Sequence, residues 1–301
     1  MITYDAVTKR FSDNVAVDAL SMRIARGEAV ALLGPNGSGK TTTLKMAAGL
    51  IKPSGGSVTV GEPPLAPWAP DARRAISFLP QRVAFPEALT GREVVDFYRQ
   101  LRGIAAERSQ AVLRFASLNG AGERAVGTYS GGMVQRLGLA VAMLPESDVL
   151  LLDEPTAALD PDGLAAFYAV IEARQAEGRT ILFTSHHVGD VERLADRFVV
   201  LVHGRVAAEL TQAELRDRLA ERGVMRVRLS AESDGLLERV RAIAPESALD
   251  NGELVVRGAA SARPRVLDIV RASGVEVRGL TAEDGRLDAL YRDLVAGTEE
   301  P

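Results

Sequence analysis

Apolar positions along this chain fall into two patterns. Up to about residue 205, short blocks that are apolar throughout alternate with longer stretches of helical periodicity. The blocks Val30–Leu33, Ala75–Leu79, Val149–Leu152, Ile181–Thr184 and Phe198–Val202 predict strands. They are continuous rather than alternating, as expected for a parallel sheet covered on both faces. Between them, Thr41–Ala48, Met133–Leu144, Pro161–Glu177 and Val188–Leu194 predict helices. That order argues for an α/β fold with right-handed crossovers. Arg82–Thr128 contains no clear strand and reads as helices, among them Gly91–Arg102 and Ala105–Ala116. It predicts a helical insertion between two core strands, spanning about residues 82–145.

After Leu210 the pattern changes. Met225–Ser230 alternates in the manner of an exposed edge strand, and Asp234–Ile243 is helical. A strand at Glu253–Arg257, a helix at Arg263–Ala272, a strand at Val275–Leu280 and a last helix at Asp284–Val295 follow. This predicts a small C-terminal α+β domain over residues 213–301, behind a first domain over residues 1–212. Thr211–Gly223 is expected to be a helical connection, and Gly297–Pro301 a frayed tail.

Composition narrows the function classes. The formal net charge is −4, so electrostatics give no case for nucleic-acid binding. Cysteine is absent, which excludes disulfides and thiolate metal sites and suits a reducing compartment. The start, MITYDAVTKRF, has no apolar signal-peptide core. The longest apolar runs fall far short of the ~20 residues that cross a bilayer. Any membrane work is therefore expected to rely on another chain.

One short stretch carries the strongest chemical signal. GPNGSGKTTT, Gly34 to Thr43, fits G-x-x-x-x-G-K-[ST] and lies between a predicted strand and a predicted helix. Glycines let the backbone curl around an anion with its N–H groups pointing inward. The helix behind adds the positive end of its dipole. Lys40 supplies a cation for the β- and γ-phosphates, and the Thr41 hydroxyl a ligand for Mg²⁺. The turn is thus expected to hold a nucleoside triphosphate. The buried run Val149–Leu152 ends in Asp153 and Glu154, at the end of a parallel strand where ligand crevices open. Asp153 is placed to hold Mg²⁺ through water, and Glu154 to orient or deprotonate an attacking water.

GPNGSGKTTT, Gln81 in LPQRVAF, YSGGMVQRLGLA, LLLDEPTAALD and TSHH occur in that order. On these motifs the chain, from about Ile2 to Leu210, strongly resembles the ATP-binding cassette of ABC transporters. The resemblance implies a P-loop NTPase cassette that binds ATP and Mg²⁺. It places Gly34, Asn36, Gly37, Ser38, Gly39, Lys40, Thr41 and Thr42 around the phosphates. It makes Gln81 a sensor of Mg²⁺ and water that links to the membrane subunit, and His186 the contact to the γ-phosphate. Ser130, Gly131 and Gly132, at the start of a helix, stand where the family has its signature and would bind the γ-phosphate held by a second copy. Tyr129 and Met133 depart from that signature, in the manner of exporter cassettes. Asp160 matches the residue that couples the two sites. Phe11 lies where the family stacks a ring on adenine; a core phenylalanine is the competing reading. His187 is expected to be structural and His203 a turn residue.

The implied assembly is a homodimer sandwiching ATP and docked on an integral membrane permease, at the cytoplasmic face of the inner membrane. The stretch LPQRVAFPEALTGREVVDFYRQLRG further resembles the cassette subunit encoded with nitrous-oxide reductase, the NosF type. That implies a role in copper-site maturation and a periplasmic maturation protein reached through the permease. An ABC-2-type exporter of drug, polysaccharide or lipid is the alternative, and a soluble non-transport ABC ATPase is the alternative of another class.

Overall fold

The computed structural model describes residues 1–290 except 119, 158, 232, 233, 259, 284, 286, 288 and 289, and gives no side-chain description for Val188. The chain divides into two compact units, Met1–Glu209 and Leu210–Pro301.

The first unit opens with two long strands, β1 (Ile2–Phe11) and β2 (Asn14–Ile24). It continues through β3 (Ala29–Leu33), α1 (Lys40–Ala47), β4 (Gly55–Val60), α2 (Pro70–Ala75) and β5 (Ile76–Leu79). Three helices follow: α3 (Gly91–Leu101), α4 (Glu107–Phe115) and α5 (Gly131–Ala142). Then come β6 (Val149–Asp153), α6 (Pro161–Ala176), β7 (Thr180–Thr184), α7 (Val188–Leu194), β8 (Arg197–Val202) and β9 (Arg205–Thr211).

Six strands form one sheet in the order β5-β6-β7-β3-β8-β9, and β5 through β8 pair in parallel. Every residue of β3, β6 and β7 is buried, which is why these strands read as continuous apolar runs. The three-helix stretch interrupts the chain between the neighbouring strands β5 and β6, where the helical insertion was expected.

The second sheet of this unit, β2-β1-β4, is antiparallel and was not read from the sequence. The run Leu20-Ser21-Met22-Arg23-Ile24 carried a period-two signal, with the three apolar residues buried and Ser21 and Arg23 exposed. Elsewhere the alternation is broken. Ala6 and Ala19 have φ of 46° and 47°, and the β1–β2 register shifts repeatedly. Such bulges move successive side chains off the simple alternation. One apolar core joins Ile2, Tyr4, Leu20 and Ile24 to Leu44 and Met46 of α1 and to Leu32, Leu151 and Leu182 of the parallel sheet. The buried Tyr4 hydroxyl donates to the Thr43 carbonyl, tying β1 to α1.

The second unit runs α8 (Gln212–Ala220), β10 (Val224–Leu229), α9 (Leu236–Arg241), β11 (Ala248–Asp250), β12 (Glu253–Arg257), α10 (Arg263–Ala272) and β13 (Val277–Glu283). Its sheet order is β11-β12-β10-β13, with antiparallel pairing throughout. A β-α-β-β-α-β chain with that order has the ferredoxin-like topology. The expectation of an edge strand at Met225–Ser230 is corrected: β10 is central, paired with both β12 and β13. Its alternation reports a sheet packed on one side. Met225, Val227 and Leu229 join the core with Val240 and Val266, while Arg226 and Arg228 are exposed. Thr211 caps α8, and its side chain and that of Glu214 bond reciprocally to the backbone of the first turn. The helix expected at Asp284–Val295 and the tail Gly297–Pro301 fall largely or wholly outside the described residues.

Candidate active site

Because β3, β6 and β7 run in parallel, their C-terminal ends open on one side of the sheet. β3 leads into Gly34, β6 into Glu154, and β7 into Ser185 and His186. A cleft of about 380 Å³ lies there, lined by Phe11, Asn36 through Thr42, Gln81 and Glu154. Asn14 and Ala16 also line it; they come from β2, whose strand was not foreseen.

The glycine turn is shaped by positions that exclude a side chain. Gly34 has φ 141°, and a Cβ there would lie 2.2 Å from the Leu201 carbonyl oxygen. Gly39, the N-cap of α1, has φ 100°, and a Cβ would lie 2.5 Å from the Ala16 oxygen. Both demand the conformational range of glycine. The Lys40 ammonium is buried and donates to the carbonyls of Gly34 (2.7 Å) and Pro35 (3.0 Å). Burial pulls it below its ordinary value, against the attraction of Glu154 and Asp153.

Asp153 is buried, and its Oδ1 accepts from the Thr184 hydroxyl at 2.8 Å. Among the described residues its Oδ2 is buried with no hydrogen-bond partner, as is Ser38 Oγ. A buried carboxylate oxygen without a donor fits a cation, and hydroxyl, amide and carboxylate oxygens suit Mg²⁺. Glu154 has φ 50°, a region costly for a residue with a side chain. The Thr184 hydroxyl, which serves Asp153, also accepts the Glu154 N–H at 2.8 Å. The Glu154 carboxylate stands 2.9 Å from Nε2 of His186.

Phe11 is 47% exposed at the end of β1, with Lys9 Nζ 4.9 Å from its ring centre. This removes the competing reading of a core phenylalanine. Ser130, Gly131 and Gly132 do not line the cleft. Ser130 caps α5 by accepting from the Met133 N–H, and the first turn of that helix carries no acidic residue. Asp160 caps α6 through the Gly163 N–H (2.8 Å) and accepts from Arg136 of α5 (3.3 Å). His187 is exposed and precedes α7, and His203 sits in a turn with φ 48°. Among the described residues no group of three or more His, Cys, Asp or Glu is placed to hold a metal, and no helix is long and apolar enough to cross a membrane. A wider cavity of about 720 Å³ in the second unit, lined by Arg222, Val224, Ile243 and Arg257 among others, contains no predicted site residue.

Fold and cleft together define a P-loop nucleotide-binding protein. Residues 17–157 match the family model described as ABC transporter. The chain is 35% identical to a daunorubicin resistance ATP-binding protein, DrrA3, of Streptomyces coeruleorubidus, over 97% of its own length and 95% of that protein. It is 40% identical to the Nod factor export ATP-binding protein I of Burkholderia lata, over 69% of this chain and 70% of that one. A solved dimeric ATP-binding cassette in a post-hydrolysis state, bound to ADP and Pi, superposes with a TM-score of 0.65 at 26% identity, covering 70% of this chain and 99% of that one. The chain belongs to the ATP-binding subunits of ABC transporters, whose cassettes dimerise on ATP and pair with membrane permeases.

Proposed function

We propose that this subunit powers an exporter through an ATP-sandwich homodimer. The observation that carries the reading is the cleft at the strand ends, where Phe11, the glycine turn, Gln81 and Glu154 meet. Phe11 stacks on adenine. Gly34, Asn36, Gly37, Ser38, Gly39, Lys40 and Thr42 surround the phosphates with amides, hydroxyls and one ammonium. Thr41, Gln81 and Asp153 hold Mg²⁺, which offsets phosphate charge when bound. Glu154 orients or deprotonates the attacking water, and His186, beside it, contacts the γ-phosphate.

Ser130, Gly131 and Gly132 expose the N–H groups of a helix start away from the cleft of their own chain. A second copy presenting this start to the γ-phosphate completes each site, with Asp160 passing the state of one site to the other. Gln81 and the helical insertion transmit closure to an integral membrane permease, holding the subunit peripherally at the cytoplasmic face of the inner membrane. Residues 1–212 act as the cassette and 213–301 as an accessory domain.

End-to-end similarity to a daunorubicin resistance protein supports a small amphipathic drug as cargo. The second reading, nitrous-oxide reductase maturation with a periplasmic partner, is supported by the stretch Leu79–Gly103 and its likeness to NosF-type cassettes. Affinity purification of the tagged subunit from its native membranes tests both. Co-purification of a permease whose loss sensitises cells to an amphipathic drug supports export. A permease required for reductase copper loading supports maturation. Recovery with ribosomes and no membrane protein overturns both.

A further inference from the structure

Glu154 and His186 arrive on two different strand ends, and the left-handed backbone of Glu154 is held there against its own preference. The Thr184 hydroxyl fixes one side of this arrangement, through Asp153 and the Glu154 N–H. The other side is fixed by a group that the functional motifs do not include. Asp190, on α7, is buried at 3% exposure. Its Oδ2 accepts from the Thr156 hydroxyl at 2.5 Å and from the Ser185 hydroxyl at 2.7 Å, and its Oδ1 accepts from the Tyr168 hydroxyl.

The three donors come from three segments. Thr156 lies two residues past Glu154, Ser185 immediately precedes His186, and Tyr168 lies on α6. Ser185 Oγ also accepts the His187 N–H at 3.0 Å, so it grips the backbone on both sides of His186. No ion pair reaches Asp190 among the described residues. Among the described residues its burial is compensated by hydroxyl donors alone, and apolar packing would satisfy stability at lower cost. A carboxylate accepts several bonds at once, so one side chain can bind both loops.

We propose that Asp190 is a positioning residue: through Thr156 and Ser185 it holds the segments bearing Glu154 and His186 at their 2.9 Å approach. The inference rests on the reading of Glu154 and His186 given above.

The test uses the purified full chain. Thr156→Val and Ser185→Ala each remove one hydroxyl donor to Asp190, Asp190→Asn weakens all three of its hydroxyl bonds, each at nearly constant volume, and Thr156→Ser keeps the hydroxyl. Expected are falls in kcat of about ten- to a hundredfold for the first three, as for displaced reacting groups. KM and nucleotide affinity should stay within twofold of the wild type, and Thr156→Ser should restore kcat. If Asp190→Asn fails to fold, Thr156→Val and Ser185→Ala decide alone. Wild-type kcat in the folded variants overturns the proposal. So does a loss of kcat that is matched by loss of nucleotide affinity, or that Thr156→Ser does not repair. Glu154→Gln is run beside them. If it turns over normally, the underlying reading fails; if it is inactive while the positioning variants are active, only this inference fails.

Discussion

Nε2 of His186 stands 2.9 Å from Oε1 of Glu154, although the two residues are carried by neighbouring strands, β7 and β6. The pair lies just past the point where the Asp153–Thr184 register of the sheet ends, so strand pairing brings the two segments side by side. Substituting Glu154 by Gln removes a base and keeps the shape. Nucleotide affinity should be unchanged, hydrolysis should fall by at least about a hundredfold, as when a general base is removed, and ATP should drive a persistent dimer. Equilibrium nucleotide titration, steady-state turnover and sedimentation velocity check the three parts.

The start of α5 should act in trans. In a chain already carrying Glu154→Gln, a further Ser130→Ala substitution should leave ATP binding by the monomer intact and abolish the ATP-driven dimer. The same change removes the cap on the Met133 N–H and should lower stability by about 1 kcal/mol. Sedimentation with ATP, beside denaturant melts without it, separates these effects. A dimer that survives Ser130→Ala would contradict the shared-site reading.

Gly34 should tolerate no side chain. A methyl group there meets the Leu201 carbonyl oxygen at 2.2 Å, and φ 141° is foreign to alanine. Gly34→Ala should destabilise the fold by about 1–3 kcal/mol, the usual range for overpacking, and weaken nucleotide binding. Gly37→Ala should be milder, since a Cβ at Gly37 meets nothing within 4 Å, although its φ of 82° still carries strain. Thermal melts of the two variants give the order directly.

The two capping boxes predict a pH dependence with a defined sign. Thr90 at the start of α3 and Thr211 at the start of α8 donate backbone and side-chain hydrogen bonds to Glu93 and Glu214, holding both carboxyls below their usual range. A carboxylate with a lowered folded pKa contributes stability that is present above the unfolded pKa and lost as pH falls through the folded one. That contribution should therefore fade below the ordinary glutamate range. Thr90→Ala should cost about 1 kcal/mol near neutrality and less in acid. Urea midpoints across pH 3 to 7 test this, and a cost that grows on acidification would contradict it.

By itself, the sequence determined the parallel sheet, the helical insertion, the glycine turn and the carboxylates behind it. These were legible because each is local: a strand buried on both faces is apolar at every position, and a phosphate-binding turn needs its glycines at fixed spacing. The α+β character of the second unit was equally plain from alternating and helical stretches. Tertiary structure alone decided what depends on which segments meet. The sheet β2-β1-β4 was obscured because bulges at Ala6 and Ala19 break its alternation. β10 is central rather than an edge strand, because alternation records which face is buried and carries no information about how many neighbours a strand has. Asp190 looked like any acidic residue on a short helix; only folding brings the Thr156, Tyr168 and Ser185 hydroxyls onto its carboxylate, and no local pattern encodes such a long-range meeting.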